Sequence, residues 1–368
     1  MIIGIPKEIK NNENRIALTP KGTALLIKKG HEVFIEKDAG IGSGFIDQEY
    51  KKAGAKIVTA QEAWNADIIV KVKEPLPQEY RYFKNNQIIF TYLHLAGAQK
   101  SLTEALIQSG CIAIAYETVE KNGSLPLLKP MSEVAGKIAI QEGSKFMLKM
   151  HGGQGILLDK IFGVIPANVV IIGAGASGTA AAVAAAGRGA TVTLLDINKE
   201  KLARLKKEIR GNVHTIISTK KSILKAVKKA DLLVGAVLIP GRKAPKIITE
   251  KMIKSMKYGS VFVDISIDQG GCAETSRPTT HENPVFTKYG ITHYCVTNMP
   301  GIVPRTSTLA LTSATLPYIL KITNQGVEKL ALHDNCFAKG INVYKGNLVS
   351  KPVAESLKMK YSDLTKII

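Results

Sequence analysis

The chain lacks several features that would place it outside the class of ordinary globular proteins. No apolar run reaches the roughly 20 residues needed to cross a bilayer, and the amino-terminal stretch MIIGIPKEIK lacks the apolar core and cleavage site of a signal peptide. We therefore expect a soluble protein of the cytoplasm without a membrane partner. The four cysteines are scattered, with no C-x-x-C pair, which argues against a zinc site or a disulfide framework.

Acidic residues are scarce relative to basic ones: 30 Asp and Glu stand against 50 Lys and Arg, for a net charge of +20. Such an excess could bind the phosphate backbone of a nucleic acid. However, the basic residues are dispersed, and the sequence contains no basic arm and no known nucleic-acid module. We expect a solvated lysine-rich surface and no nucleic-acid partner, with a positive field that attracts small anionic ligands.

Apolar β-rich runs alternate with helical patterns along most of the 368 residues, which favours an α/β fold with two doubly wound parallel-sheet (Rossmann-like) domains separated by a cleft. One domain would cover residues 1–130 and 305–368, and the other residues 131–304. The tail after residue 304 is expected to pack on the first domain and to contain a hairpin near Lys345 and Gly346. The pattern predicts strands at 2–5, 32–35, 55–58, 67–72, 87–93, 111–116, 169–172, 191–195, 213–217, 231–236, 260–265 and 292–296, and helices at 20–29, 61–65, 99–109, 132–150 and 307–323.

The stretch VVIIGAGASGTAAAVAAAGRGATVTLLD, residues 169–196, predicts a strand, a glycine turn, a helix and a second strand. In this G-x-G-x-x-G pattern Gly173 permits a tight turn, Gly175 lets a pyrophosphate approach the backbone, and Gly178 lets helix and strand pack closely. The start of the helix would attract the phosphates through its N–H groups and its dipole. Asp196 ends the second strand, where its carboxylate would bind ribose hydroxyls and repel a 2′-phosphate. The pattern therefore predicts an NAD site, and the alternative is an α/β crossover that binds no phosphate.

Four polar residues fall at or near predicted strand ends, the edge at which open α/β sheets bind ligands. Arg15 follows the first strand, Lys73 follows DIIVKV, His94 follows IIFTYL, and Asp268 closes VFVDISID. Each has a simpler interpretation: Arg15 could pair with Glu8 or Glu13, Lys73 could be solvated, His94 could be structural, and Asp268 could cap a turn. If a cleft lies between the two sheets, it could gather all four.

The motifs around these residues resemble, in order and along nearly the whole chain, the alanine dehydrogenase family. They are IGIPKEIKNNENRIALTP, KVKEP, TYLHLA, PMSEVAG, GAGASG, GAVLIPG, DQGG, SRPTT and NMPG. The resemblance implies an NAD-dependent homohexameric enzyme that interconverts L-alanine with pyruvate and ammonium.

The resemblance also implies roles for individual residues. Arg15 and Lys73 would bind substrate, and His94 and Asp268 would be catalytic. The residues that would contact the cofactor are Ser132, Gly173, Gly175, Ala176, Ser177, Gly178, Asp196, Lys201, Ser218, Val237, Leu238, Ile265, Ser266, Ile267, Asp268, Arg277, Val296, Thr297, Asn298 and Met299. Some members of the family bind a divalent cation near the helix after Pro304, but here that helix carries Lys321 and Gln325, and we predict no metal.

Three other functions remain open from the sequence. A transhydrogenase subunit shares the opening motif and the glycine turn but has no use for an acid/base histidine at His94. A dehydrogenase acting on saccharopine or lysine would need a larger site. A sensor that binds NAD without catalysis would need no acid/base residue, and an assay of NADH formation from alanine separates all three.

Overall fold

The computed structural model describes residues 1–238 and 243–368, which form two compact units. The first unit consists of residues 1–130 and 303–368, and the second of residues 131–238 and 243–302. The last three residues of the GAVLIPG motif, 239–241, lie outside the described residues.

The first unit is built on one mixed sheet whose core strands run parallel. Its strands are β1 (Ile2–Ile5), β2 (Glu32–Glu36), β3 (Lys56–Val58), β4 (Ile68–Val70), β5 (Ile88–Thr91), β6 (Ile112–Ala115), β14 (Ile341–Tyr344) and β15 (Asn347–Leu348). Among the described residues the order is β15-β14-β6-β5-β4-β1-β2-β3, and β14 and β15 are antiparallel. The order therefore reverses between β1 and β4, which is where a doubly wound sheet binds its ligand.

The helices of this unit begin and end at residues that satisfy their terminal backbone groups. They are α1 (Pro20–Lys28), α2 (Asp47–Lys52), α3 (Ala60–Trp64), α4 (Lys100–Ser109), α10 (Pro304–Gln325), α11 (Val327–His333), α12 (Asn335–Ala338) and α13 (Lys351–Leu357). Thr19 caps α1 by accepting from Gly22 N, and Gly110 ends α4 in the left-handed conformation. Helix α5 (Lys129–Phe146) begins at the end of the unit's first segment.

The second unit repeats this topology. Its strands are β7 (Asn168–Ile172), β8 (Thr191–Asp196), β9 (Val213–Ile217), β10 (Leu232–Gly235), β11 (Val261–Asp264), β12 (Val285–Lys288) and β13 (Ile291–Tyr294). Its helices after α5 are α6 (Ala176–Gly187), α7 (Lys199–Glu208), α8 (Lys220–Val227) and α9 (Glu250–Lys254). Within the described part of the chain the strand order is β12-β13-β11-β10-β7-β8-β9, with β12 antiparallel. The order reverses between β7 and β10.

The structure confirms the α/β class and the twelve predicted strands, with two differences. Both sheets are mixed, because the hairpin of β14 and β15 and the strand β12 run antiparallel at the edges. The predicted helix 132–150 runs instead over Lys129–Phe146, and a separate 3-10 turn follows at Lys149–His151.

Candidate active site

Arg15 lies buried in the loop after β1 and pairs with Glu13. The guanidinium donates from Nε to Glu13 Oε1 at 2.7 Å and from Nη2 to Oε2 at 2.5 Å. Burial works to raise the pKa of Glu13, but the hydrogen bond and charge of Arg15, together with the charge of Lys73, lower it to about 2. The sequence left both Glu8 and Glu13 open as partners of Arg15, and in the structure the bidentate partner is Glu13.

Sequence reasoning missed a buried ion network beside this loop. The Lys71 ammonium lies 3.2 Å from Glu8 Oε2 and 3.0 Å from Glu79 Oε1, and all three side chains are buried. Burial tends to lower the pKa of Lys71, but the two carboxylates outweigh it and raise that pKa. Glu8 also accepts from the backbone N–H groups of Val72 and Lys73 at 2.6 and 3.3 Å. The network therefore holds the chain segment that carries Lys73.

His94 lies three residues beyond the end of β5, where its backbone adopts a left-handed φ of +48°. Its ring stacks on Tyr92 with centroids 5.6 Å apart, and its backbone N–H donates to Glu117 Oε1 at 2.6 Å. The Nδ1 atom lies 3.9 Å from the same oxygen. A left-handed non-glycine residue is strained, and such residues gather at functional sites. The Tyr92 hydroxyl donates to Leu127 O at 2.6 Å, which holds the ring on which His94 stacks.

The glycine turn has the tight geometry that its sequence predicts. A Cβ on Gly173, whose φ is +102°, would lie 2.3 Å from Ala236 O, and one on Gly178 would lie 1.8 Å from Gly173 O. A Cβ on Gly175 would meet nothing within 4 Å. Gly175 is also the N-cap of α6, which has no side-chain hydrogen bond there. The helix start therefore offers backbone N–H groups beside open space, as a phosphate site requires.

Asp196, the last residue of β8, contacts this turn directly. Its Oδ2 accepts from Ala174 N at 2.7 Å and its Oδ1 from Asn198 N at 2.9 Å. Ser218 N donates to the Asp196 carbonyl at 2.9 Å, and Lys201 N donates to Asn198 Oδ1 at 2.8 Å. Asp196, Lys201 and Ser218, three of the predicted cofactor residues, thus lie at the carboxyl ends of β8 and β9.

Asp268 lies on a 3-10 turn, Ile265–Gln269, rather than at the end of a strand, because β11 stops at Asp264. Its exposed side chain accepts from Asn298 N at 3.1 Å. Ser266 Oγ, on the same turn, accepts from Val237 N at 2.9 Å. The second unit therefore brings together the predicted segments 237–238, 265–268 and 296–299.

Asp264 anchors this turn and was not recognised in the sequence. Its buried carboxylate accepts from Ser266 N and Cys272 N, each at 2.9 Å, and from Ser276 Oγ at 2.5 Å. Burial raises its pKa above the usual range. An aspartate at the end of a hydrophobic strand, two residues before a serine, is a weak signal for such an anchor.

Two further predicted cofactor residues, Arg277 and Ser132, lie on other segments of the second unit. Arg277 is exposed and places its guanidinium 4.2 Å from the ring centroid of Phe286. Ser132 lies in the first part of α5, a helix that packs closely on α6, since a Cβ on Gly136 would lie 2.1 Å from Ser177 O.

Among residues 1–238 and 243–368, no group of three or more His, Cys, Asp or Glu side chains could hold a metal ion. Over the same residues, no helix combines the length and apolar character of a membrane span.

Comparison with known proteins identifies the family. Residues 4–135 match the model of the alanine dehydrogenase/PNT N-terminal domain, and residues 139–351 match that of the C-terminal domain. The chain is 53% identical to an alanine dehydrogenase of Staphylococcus haemolyticus, over 99% of this chain and 98% of that protein. Among solved structures it resembles an L-alanine dehydrogenase, with a TM-score of 0.92 and 49% identity over 97% of this chain and 99% of the other. It also resembles a transhydrogenase from Sinorhizobium meliloti, with a TM-score of 0.82 and 25% identity over 95% and 100% of the two chains. The chain belongs to the alanine dehydrogenase/PNT family.

Proposed function

We propose that this chain is an NAD-dependent L-alanine dehydrogenase, which converts L-alanine, NAD⁺ and water reversibly into pyruvate, ammonium, NADH and a proton. One observation carries the proposal: Arg15 and Lys73, two cations suited to a carboxylate, lie on neighbouring segments, because Glu8 in the loop that carries Arg15 accepts from Lys73 N at 3.3 Å. The identity with proteins named alanine dehydrogenase supports alanine as the substrate.

The substrate would be held by the first unit. A guanidinium matches a carboxylate with parallel hydrogen bonds, so Arg15 would bind the carboxylate of alanine or pyruvate. Lys73 adds a compact positive charge, which would polarise the carbonyl oxygen of pyruvate.

His94 would move the protons. Alanine arrives as an ammonium ion, and His94 would take one proton so that the amine lone pair can form the C=N bond as hydride leaves Cα. Water then adds to the imine carbon, the C–N bond breaks, and ammonia leaves. Asp268 would position that water or accept its proton. Histidine titrates near neutral pH, and such acid/base catalysis contributes about 10²–10⁴-fold.

The second unit fits a dinucleotide. The open space beside Gly175 and the uncapped start of α6 suit a pyrophosphate, and Asp196 suits the ribose hydroxyls. NAD, when bound, supplies the acceptor for the hydride. We also propose that the other residues implied by the family resemblance contact the cofactor.

The test is the rate of NADH formation from NAD with L-alanine, measured beside lysine, saccharopine and aspartate. We expect alanine to support turnover at the highest kcat/KM. Equal or faster turnover of lysine or saccharopine would contradict the substrate assignment. NADH binding without turnover of any amino acid would favour a transhydrogenase-like or sensor role instead.

The proposal includes a homohexamer in the cytoplasm, which rests on the family resemblance. An exposed apolar segment between α5 and β7, which carries Phe162 and Ile165, supports the homohexamer.

A further inference from the structure

A single buried carboxylate binds the backbone on both sides of Asp268. Asp264 lies at the end of β11 with no exposed surface, and each of its oxygens accepts from one backbone N–H. Oδ1 accepts from Ser266 N and Oδ2 from Cys272 N, both at 2.9 Å. Cys272 Sγ and Ser276 Oγ donate to the same carboxylate at 3.4 and 2.5 Å. These four donors replace the water that the buried carboxylate has lost.

The two glycines of the DQGG motif let the chain return to this carboxylate. Gly270 and Gly271 have left-handed φ values of +92° and +77°, which glycine adopts without strain. A Cβ on Gly271 would lie 2.7 Å from Asp264 Oδ2, so only glycine permits this close approach. Residues 265–271 therefore form a loop whose two ends meet at Asp264 and whose middle residue is Asp268.

The loop is bonded in turn to two other segments of the second unit. Ser266 Oγ accepts from Val237 N at 2.9 Å, and Asp268 Oδ1 accepts from Asn298 N at 3.1 Å. Val237 and Asn298 belong to segments that the family resemblance assigns to the cofactor. A displacement of the loop would therefore disturb three predicted cofactor segments together.

We propose that Asp264 is a positioning residue: by binding the backbone on both sides of Asp268, it fixes the loop that presents Asp268 and its neighbours to the cofactor. The inference rests on the proposed function, which assigns NAD to the second unit and a role in handling water to Asp268. Asp264 has no exposed surface, so it acts through the loop.

The Asp264→Asn variant keeps the size of the side chain but removes one of its two acceptor oxygens. The amide NH₂ then faces a backbone N–H, either that of Ser266 or that of Cys272, and two donors cannot bond to each other. One end of the loop loses its partner. We expect the Kd for NADH to rise and the kcat for alanine to fall, each by at least about tenfold, within the range for leaving a buried donor unpaired.

The KM for alanine should respond less than these two quantities. Arg15 and Lys73, which we assign to the substrate carboxylate, belong to the first unit and are not bonded to this loop in the contacts described above. At saturating NAD we expect the KM for alanine to stay within about threefold of wild type.

Asp231→Asn is the matched control. Asp231 is a buried aspartate of the same sheet that accepts from Asn168 N at 2.8 Å and from Lys257 Nζ at 2.7 Å. It precedes β10, and because β10 and β11 run parallel, it lies at the opposite end of the strands from Asp264. We expect this variant to melt at a lower temperature but to keep the Kd for NADH and the kcat within about twofold of wild type.

Ser276→Ala provides a milder variant in case Asp264→Asn does not fold. It removes one donor to Oδ2 and leaves both backbone N–H groups with their acceptors. We expect the Kd for NADH to rise by about two- to tenfold, as for the loss of one hydrogen bond.

The measurements are the Kd for NADH, the KM and kcat for alanine at saturating NAD, and the melting temperature of each variant. Wild-type values of Kd and kcat in Asp264→Asn, or in Ser276→Ala if Asp264→Asn does not fold, overturn the role of Asp264. Equal changes in Asp231→Asn at the same loss of melting temperature also overturn it. If wild type binds NADH but does not turn over alanine, the proposed function fails while the Kd values still decide the role of Asp264. If wild type does not bind NADH, both fail.

Discussion

At the scale of single residues, the Glu13–Arg15 pair makes stability sensitive to acid. The pKa of Glu13 is about 2 in the folded chain, against 4.5 as the ordinary value. A lowered carboxyl pKa contributes stability that is complete above pH 4.5 and is lost as the pH falls toward 2. The shift corresponds to about 3 kcal/mol. We expect the melting temperature of wild type to exceed that of Glu13→Gln at pH 6, with the difference shrinking between pH 4.5 and 2.

Glu8 has the opposite effect on the pH dependence of stability. Burial raises its pKa, so its ionisation destabilises the folded chain as the pH rises through 4.5. The charge of Glu13 contributes to raising the pKa of Glu8, so the comparison of wild type with Glu13→Gln at each pH reports the two carboxyl groups together. A melting difference that stays constant from pH 6 to pH 2 would show that Glu13 is not the ionised partner described here.

The proposed role of Asp196 in the choice of cofactor also belongs to the scale of single residues. Its carboxylate would repel a 2′-phosphate, so we expect kcat/KM for NAD to exceed that for NADP by at least about tenfold. The Asp196→Asn variant keeps an acceptor oxygen for Ala174 N but loses the negative charge, so it should narrow the preference for NAD over NADP. Equal use of both cofactors by wild type would remove the assignment.

The sequence located these residues but not all of their contacts. Lys73 and His94 could be proposed because each follows an apolar run, and Arg15 because it lies in the loop after the first strand, since ligands bind at strand ends. The Glu8–Lys71–Glu79 network could not, since Lys71 ends a hydrophobic pattern and its two partners become neighbours only when the strand packs. Lysine is rarely buried without such partners, so the sequence alone predicts that Lys71 is exposed.

At the scale of elements, the glycine turn allows a matched pair of variants. A Cβ on Gly175 enters open space at a φ of −68°, so Gly175→Ala should keep its melting temperature while obstructing the pyrophosphate. We expect its Kd for NADH to rise about tenfold or more, or about 1.4 kcal/mol. A Cβ on Gly178 collides with Gly173 O, so Gly178→Ala should melt at a lower temperature, with a cost of about 1–3 kcal/mol. Unchanged NADH binding by Gly175→Ala would contradict a pyrophosphate at this turn.

Most strands and helices could be predicted from the pattern of apolar residues along the chain. The twelve parallel strands were found within a few residues, because the central strands, such as β4, β5 and β10, are buried on both faces and form continuous apolar runs. Strand β12 was missed, since VFTK is short and only partly buried at a sheet edge. Helix α2 was missed because DQEYKK buries a single residue, Tyr50, and so has little amphipathic pattern.

At the scale of the whole molecule, the proposed hexamer needs a surface to bury. Helix α10 buries Leu311, Ile319 and Ile322, although its Leu309 is half-exposed. The segment that connects α5 to β7 along the chain exposes more apolar surface, since its Phe162 and Ile165 are 101% and 87% exposed. Exposed clusters of this kind mark interaction sites.

We expect light scattering to give six times the 39.7-kDa chain mass for wild type. Phe162→Asp should give a smaller assembly, because it would place a charge in an apolar contact. Leu309→Asp tests α10 in the same way. A wild-type mass near 40 kDa at micromolar concentration would contradict the hexamer.

The central claim is that His94 carries the protons in an alanine dehydrogenase reaction, and the His94→Ala variant tests it most directly. His94 belongs to the first unit and the glycine turn to the second, so the variant should bind NADH with the Kd of wild type. Its turnover of alanine should fall by about 10²–10⁴-fold. Steady-state rates measured beside an NADH titration give both values. If His94→Ala binds NADH normally and still oxidises alanine within about tenfold of the wild-type rate, His94 is a structural residue and the proposed mechanism is wrong.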